Sequence, residues 1–381
     1  MILGYCTNVH AGATLAETKA SLERHAVRVR ELVSPQAPLP LGLWLSARSA
    51  HALATEPDGP RRLRDWMAER ELSVFSLNGF PYGDFHQERV KELVYQPNWG
   101  DARRVEYTLQ LADILIDLLS DGTTEGSIST LPLGWRQMFF AQGGGAALGV
   151  AAANLERVAR HLADLEQRRG VCVHVDLEPE PGCALERASD VTGFFANCLR
   201  PGTDGDRLRR HIRVCHDICH SAVMFEDQAE ALATYRAAGI RVGKVQVSSA
   251  VECDGSERGF RLLRALDEPR WLHQTCVLDG TGEVHFFSDL EAALDSTAHG
   301  VWRTHFHVPV SAGALGVLGT TQRQITDCFA AIRPEDGIEH FEVETYAWGA
   351  LPMEHRGGSL SDSIAAEWRW TREALDSAGL G

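Results

Sequence analysis

Short apolar runs alternate along the chain with longer segments of helical periodicity. Eight of these runs suit strands that are buried on both faces, at residues 2–7, 41–46, 73–78, 126–130, 171–178, 212–217, 242–248 and 339–345. Apolar residues recur at helical spacing between them, in segments such as 15–32, 109–119, 152–167, 228–238 and 361–375. This order predicts an α/β protein of repeated strand–helix units, and eight units favour a closed (β/α)8 TIM barrel over an open doubly wound sheet.

One region interrupts the alternation between the last two barrel strands. Residues 251–298 contain a helix-like stretch and then a hairpin pattern around Asp279 and Gly280. The apolar run at 302–310 is interpreted as an extra strand of the same region. No polar linker rich in Pro, Gly or Ser divides the chain. We therefore predict a single domain over residues 1–381, with an insertion at 251–310.

Composition and charge narrow the classes of function. The 381 residues are 44% hydrophobic, which is enough for a large core, and the net charge of −15 argues against binding nucleic acid or anionic membranes. The chain has no basic and apolar leader, no apolar run of about 18 residues, and nine irregularly spaced cysteines. These features predict a cytoplasmic protein with reduced thiols.

Polar side chains stand at the ends of four successive predicted strands, where barrel enzymes carry their active sites. They are Glu178, Asp217, Gln246 and Glu344, and strand alternation allows all four to point inward at the mouth. Buried carboxylates without a partner are costly, so the cluster predicts a bound cation. The structural alternative is that Lys244 and Arg136 pair with these carboxylates across the barrel top.

The types of donor atom suggest the kind of metal ion. Three carboxylates and an amide form an oxygen-donor set, which favours Mn2+ or Mg2+ over Zn2+. Adding His220 or His307 would move the preference toward Mn2+, Co2+, Fe2+ or Zn2+. We assign the metal to the four strand-end residues, and the predicted substrate-binding residues are His305, His307, Lys244, Asn78, Trp135 and Arg136.

The strand-end residues resemble the pattern of the xylose-isomerase-like TIM-barrel superfamily, which includes sugar isomerases, sugar epimerases and endonuclease IV. In that pattern a Glu ends strand five, an Asp-x-x-His follows strand six, a His ends strand seven and a Glu ends strand eight. Glu178, Asp217 with His220, and Glu344 match, whereas Gln246 stands where the His is expected. Nine tracts in order further resemble the EboE family of metabolite-traffic proteins: GYCTNVH, LGLWLS, NGFPYG, EGSISTLPLGW, LEPEPGC, VGKVQVSSA, HFHVPV, LGTTQ and VETYAW.

The resemblance implies a role in a bacterial secondary-metabolite pathway that includes a cyclase-like enzyme and a membrane prenyltransferase, the latter a candidate partner. It implies a sugar or cyclitol substrate and a metal-dependent isomerase or epimerase reaction. In that reaction Glu178 and Glu344 bind metal and exchange protons, while His220 acts on substrate oxygens. Two alternatives stay open: a non-catalytic metabolite carrier, and a metallohydrolase related to endonuclease IV.

Overall fold

The computed structural model describes residues 1–141, 143–199, 205–351, 356 and 358–381. Seven strands of the barrel come first along the chain: β1 (Ile2–Cys6), β2 (Leu39–Trp44), β3 (Leu72–Asn78), β4 (Glu125–Thr130), β5 (Cys172–Leu177), β6 (Ile212–Asp217) and β7 (Val242–Val247). Each pairs in parallel with the next. Every residue of β5, β6 and β7 is buried, which explains why these strands read as unbroken apolar runs in the sequence.

A second sheet follows β7. It contains β8 (Val251–Cys253), β9 (Thr275–Leu278), β10 (Val284–Phe287), β11 (Val301–Thr304), β12 (Ala314–Leu315) and β13 (Leu318–Thr320). All of its pairings are antiparallel, and it has a small apolar core of its own around Val251, Leu263 and Trp302.

The last barrel strand, β14 (His340–Val343), pairs in parallel with both β7 and β1 and closes the barrel. The eight predicted strands are therefore confirmed as a closed (β/α)8 barrel, with the second sheet inserted between the last two barrel strands. That sheet includes β9 and β10 as a hairpin, and it continues to Thr320, beyond the predicted boundary at residue 310.

Helices surround the barrel, except for Glu257–Leu266 and Leu290–Leu294, which pack against the second sheet. They are α1 (Leu15–Ser21), α2 (Val27–Val33), α3 (Ala47–Thr55), α4 (Gly59–Ala68), α5 (Ala102–Leu118), α6 (Arg136–Ala141), α7 (Ala146–Arg169), α8 (Ala188–Asn197), α9 (Gly205–His211), α10 (Ile218–Val223), α11 (Gln228–Ala237), α12 (Glu257–Leu266), α13 (Leu290–Leu294), α14 (Gln322–Ala331) and α15 (Leu360–Ser377). A π-helical turn at Leu22–Ala26 joins α1 to α2. None of the described helices is long and apolar enough to cross a lipid bilayer.

The predicted extra strand at 302–310 is shorter than expected. Strand β11 ends at Thr304, and the following residues leave the second sheet and run to the barrel mouth. The Val308 amide donates to the Ser249 carbonyl (3.0 Å), and His307 Nδ1 donates to the Glu344 carbonyl (3.2 Å). The segment leaves the sheet because its hydrogen-bond partners lie on the barrel, and it thereby brings two histidines to the mouth.

Candidate active site at the barrel mouth

A pocket opens at the carboxyl ends of the barrel strands. Polar groups line its floor, and both the barrel and the second sheet contribute to it. The floor residues are Asn8, Asn78, Glu178, Glu180, His220, His305, His307 and Glu344. The position agrees with the general rule that barrel enzymes bind ligands at this end.

Two carboxylates of the pocket, Glu178 and Glu344, are almost completely buried. Glu344 Oε1 accepts hydrogen bonds from the side-chain amides of Asn8 (2.5 Å) and Asn78 (3.3 Å). Burial, with Asp217 nearby, raises the pKa of Glu344 to about 8. Burial, with Glu344 and Asp217 nearby, also raises the pKa of Glu178 well above its ordinary value. The pKa of Glu344 therefore suits proton exchange near neutral pH, and burial favours the protonated form of Glu178.

Asp217 begins helix α10 and uses only one carboxylate oxygen to do so. Its Oδ1 accepts hydrogen bonds from the His220 amide (2.8 Å) and the Ser248 hydroxyl (2.9 Å). This N-cap explains the Asp-x-x-His spacing, because the first turn of the helix places His220 beside the capping residue. The other oxygen, Oδ2, has no hydrogen-bond partner, and His307 Nε2 lies 3.9 Å from it.

Three imidazoles converge on the same part of the pocket, and their hydrogen bonds assign their tautomers. His220 Nδ1 donates to the Pro179 carbonyl (2.9 Å), and His307 Nδ1 donates to the Glu344 carbonyl. Each ring therefore presents an unprotonated Nε2 to the pocket. Burial lowers the pKa of His220 to about 3 and that of His307 to about 4, so both rings are neutral.

The tautomer of His305 follows from Gln274. The Gln274 amide nitrogen donates to Glu180 Oε1 (3.0 Å), so its oxygen faces His305 Nδ1 at 2.8 Å and that nitrogen must carry the hydrogen. His305 Nε2 is then unprotonated, and it lies 3.2 Å from His220 Nε2. The Tyr346 hydroxyl donates to His305 Nε2 at 3.1 Å, whereas His220 Nε2 keeps its lone pair for a proton or a cation in the pocket.

The donor atoms of the floor fit a divalent metal ion. Among the described residues, several buried atoms lack any hydrogen-bond partner: Glu178 Oε2, Asp217 Oδ2, His307 Nε2 and both polar side-chain atoms of Gln246. Asp217, His220 and His307 each offer a ligand atom within 4.8 Å of the others. Buried lone pairs without donors favour a cation, and a set of mixed nitrogen and oxygen donors suits Mn2+, Fe2+, Co2+ or Zn2+.

Three predicted substrate-binding residues do not line the pocket. Lys244 is fully buried below the mouth, where its ammonium donates to Glu342 Oε2 at 3.2 Å. Trp135 lies behind the wall, stacked on Tyr95 with ring centroids 5.2 Å apart. Arg136 is half-exposed and pairs with Glu186 at 2.6 Å. Neither Lys244 nor Arg136 forms an ion pair with the mouth carboxylates, so the alternative of pairing across the barrel top is wrong.

The remaining predicted residues come together at the mouth. Asn78, His305 and His307 line the pocket, whereas Asp217 and Gln246 do not line it and are buried next to each other on neighbouring strands. Sequence reasoning missed the wall residues Phe85 and Trp271 and the supporting Gln274. These residues lie in loops outside the strand ends, where alternation gives no signal.

The fold recurs in solved structures. No family model and no curated protein sequence matches the chain. A D-tagatose 3-epimerase-like protein is similar in structure, with a TM-score of 0.53 and 11% identity over 100% of this chain and 98% of that chain. The chain has the fold of the xylose-isomerase-like TIM barrels. A barrel protein of that kind from Mycobacterium smegmatis, solved in complex with magnesium, has a TM-score of 0.53 and 13% identity over 100% of this chain and 98% of that chain.

Proposed function

We propose that this barrel is a metal-dependent isomerase or epimerase acting on a sugar or cyclitol with a carbonyl group, in an EboE-type secondary-metabolite pathway. The observation that carries the proposal is the set of buried mouth donors without hydrogen-bond partners: Glu178 Oε2, Asp217 Oδ2, Gln246 and His307 Nε2. The similar Mycobacterium smegmatis barrel was solved in complex with magnesium, which supports a metal here. The pathway assignment rests on the sequence resemblance alone.

In the proposed site Glu178, Asp217, Gln246 and Glu344 hold the ion, and the neighbouring His307 and His220 offer nitrogen donors. A divalent ion at this position would polarise the substrate carbonyl and stabilise negative charge on its oxygen. Because three of these donors are carboxylates, Mn2+ fits the set better than Zn2+, and the imidazoles make it a better fit than Mg2+.

The two glutamates carry the proton transfers. Glu344, oriented by Asn8 and Asn78, removes the proton from the carbon next to the carbonyl. Glu178 lies near it and returns a proton in one of two ways. Protonation of the former carbonyl carbon, with transfer of the adjacent hydroxyl proton to the former carbonyl oxygen, gives isomerisation, and protonation of the opposite face of the same carbon gives epimerisation. His220 orients a substrate hydroxyl group through its unprotonated Nε2 atom, and His305, which accepts a hydrogen bond from the Tyr346 hydroxyl, lies beside it.

Solvent exchange tests the reaction directly. We expect proton NMR in D2O to show hydrogen exchange next to the carbonyl in at least one member of a panel of keto-sugars and keto-cyclitols, with Mn2+ supplied. Glu344→Gln keeps the side-chain shape and should lower the exchange rate about 100-fold to 10,000-fold. Glu186→Gln, outside the pocket, is the matched control and should exchange at the parent rate. Full exchange in Glu344→Gln would contradict the role assigned to Glu344.

A non-catalytic metabolite carrier is the second candidate. It is favoured by Gln246, since the seventh strand carries an amide where the resembled superfamily carries a His ligand. A carrier would bind a panel member tightly without exchange at any carbon. The same NMR samples therefore separate the two functions.

A metallohydrolase related to endonuclease IV is the third candidate, and the convergence of His220, His305 and His307 favours it. The net charge of −15 opposes binding to a DNA duplex. Metal-dependent incision of an abasic-site duplex would establish this function in place of the isomerase.

A further inference from the structure

The pocket has two chemically different halves. Its floor carries the carboxylates and imidazoles described above. Its walls are apolar and are formed by Phe80, Pro81, Phe85, Val94, Trp271 and Leu272. All of these except Val94 are buried even though they line an open pocket, so the walls are fixed by their own packing.

The aromatic part of the wall is preformed. The ring of Phe85 contacts that of Trp271 at a centroid distance of 5.5 Å and that of Tyr346 at 5.4 Å. Trp271 and Tyr346 contact each other at 5.2 Å. These mutual contacts hold the rings in place without a ligand, so an entering molecule meets a rigid apolar surface.

The polar groups of the wall are already engaged. Trp271 Nε1 donates to the Phe85 carbonyl (3.1 Å), and the Tyr95 hydroxyl donates to Glu180 Oε1 (2.7 Å). The Tyr346 hydroxyl bonds to His305, and Lys91 at the rim pairs with Asp289. The wall therefore presents carbon to a ligand, and hydroxyl groups placed against it would lose hydrogen bonds to water without replacement.

Two loops join to build this wall. One follows β3 and carries Phe85 and Val94, and the other precedes β9 and carries Trp271. The amides of Val90 and Lys91 both donate to the Arg270 carbonyl, at 2.7 and 2.9 Å. The inserted region thus supplies one side of the apolar wall in addition to the two histidines of the floor.

We propose that the substrate is amphipathic: a polar, carbonyl-bearing head on the floor, attached to a flat apolar substituent that lies against Phe85, Val94 and Trp271. This inference rests on the proposed function for the identity of the head. A free polyol would form hydrogen bonds with the polar floor, but its remaining hydroxyl groups would face the apolar side chains of the wall. An apolar substituent matches the wall and gains affinity from its burial.

Isothermal titration of matched ligands tests the inference. The probes are D-fructose and 2-keto-myo-inositol, each compared with its mono-O-benzyl ethers, on Mn2+-loaded protein. We expect at least one ether of each head to bind about tenfold or more tightly than the free head. Equal affinities would overturn the inference, and so would the absence of ether binding at millimolar concentration, because the wall alone supplies affinity for the benzyl group.

Two variants test whether the extra affinity of the benzyl ether comes from contact with the wall. Val94→Thr keeps the side-chain shape and adds a hydroxyl to the wall, and Phe85→Ala removes an aromatic face. Both should reduce the preference for the ether about threefold or more and leave affinity for the free head within twofold. Leu93→Thr is the matched control, since Leu93 is 60% exposed outside the pocket. A preference that survives both wall variants would show that the benzyl group binds elsewhere and would overturn the proposal.

Failure of this inference is distinguishable from failure of the proposed function. Metal content and solvent exchange are measured on the same samples. Metal binding and exchange of a free sugar, with no preference for the ether, would retain the isomerase and reject the amphipathic substrate. If the protein prefers the benzyl ethers but binds no metal, the amphipathic substrate is retained and the metal-dependent reaction is rejected.

Discussion

The barrel interior holds two layers of ionisable side chains that differ in how their charges are satisfied. In the lower layer the Lys244 ammonium lies 3.2 Å from Glu342 Oε2 and also donates to the hydroxyls of Ser76 and Ser129, each at 3.1 Å. Both charged side chains are fully buried. This layer therefore contains its own counter-charge, although Glu342 Oε1 has no hydrogen-bond partner among the described residues.

The upper layer, at the mouth, contains three buried carboxyl groups, and within the described part of the chain none of them has a cationic side chain as its partner. Among the described residues, Glu178, Asp217 and Glu344 form no ion pair with a lysine or an arginine, and their neighbours are neutral imidazoles and amides. Burial therefore raises the pKa of each carboxyl group. The comparison supports the proposal that the upper layer binds a cation from outside the chain, whereas the lower layer carries its own counter-charge.

The largest loss of stability should come from removing one partner of the ion pair in the lower layer. Lys244→Met leaves Glu342 buried without its partner, and we expect it to lower the free energy of unfolding by about 3–5 kcal/mol. Chemical denaturation in the presence of a chelator measures this. The double variant Lys244→Met/Glu342→Leu should recover most of the loss. A cost below about 1 kcal/mol for the single variant would mean that the pair does not support the fold.

A smaller change in the free energy of unfolding, which depends on pH, should come from a buried carboxyl group at the mouth. Burial raises the pKa of Glu180 from its ordinary value of 4.5 to about 8. The folded protein then keeps a proton that the unfolded chain has released, so this group makes stability fall as the pH rises from 4.5 to about 8. Glu180→Gln stays neutral and still accepts hydrogen bonds from Tyr95 and Gln274.

Relative to the parent, Glu180→Gln should therefore gain about 3–4 kcal/mol of unfolding free energy between about pH 5 and about pH 8. Denaturation of the metal-free proteins at both pH values measures the gain. Glu186→Gln, outside the pocket, should show no such trend. If the difference between Glu180→Gln and the parent does not change with pH, Glu180 is not protonated in the folded state.

The smallest change in the free energy of unfolding should come from Arg136, a predicted substrate-binding residue that lies outside both layers. Arg136 pairs with Glu186 at the surface, with 46% of the arginine side chain exposed. We expect Arg136→Ala to change the free energy of unfolding by less than about 1 kcal/mol and to leave ligand affinity unchanged. A large loss of affinity, measured by titration with the benzyl ethers, would return Arg136 to the binding site.

Sequence patterns predicted the barrel well because its strands are buried on both faces. Unbroken apolar runs such as 171–178 and 212–217 correspond to strands with no exposed residue, and the strand ends placed Glu178, Asp217 and Glu344 at the mouth. The sequence predicts His305 and His307 as substrate-binding residues, but their approach to the barrel depends on hydrogen bonds formed only in the fold.

Lys244 shows the limit of strand alternation. The pattern correctly turns Lys244 inward, on the same face as Gln246, but it does not give the height of a side chain within the barrel. Lys244 lies two residues before Gln246 along β7, and its ammonium reaches Glu342 Oε2 instead of a carboxylate of the mouth. The aromatic wall was missed for a different reason, because Phe85 and Trp271 lie in loops whose positions depend on tertiary contacts.

The metal content of the purified protein tests the central claim, that the mouth binds a divalent ion. Parent and Glu178→Gln/Glu344→Gln proteins would be purified without chelators or nickel resin and measured by mass spectrometry, with Glu186→Gln as control. We predict about one equivalent of Mn, Fe, Co or Zn in the parent and control, and loss of the metal in the double variant. No metal in the parent, even after soaking with Mn2+, or full retention in the double variant, would contradict the account.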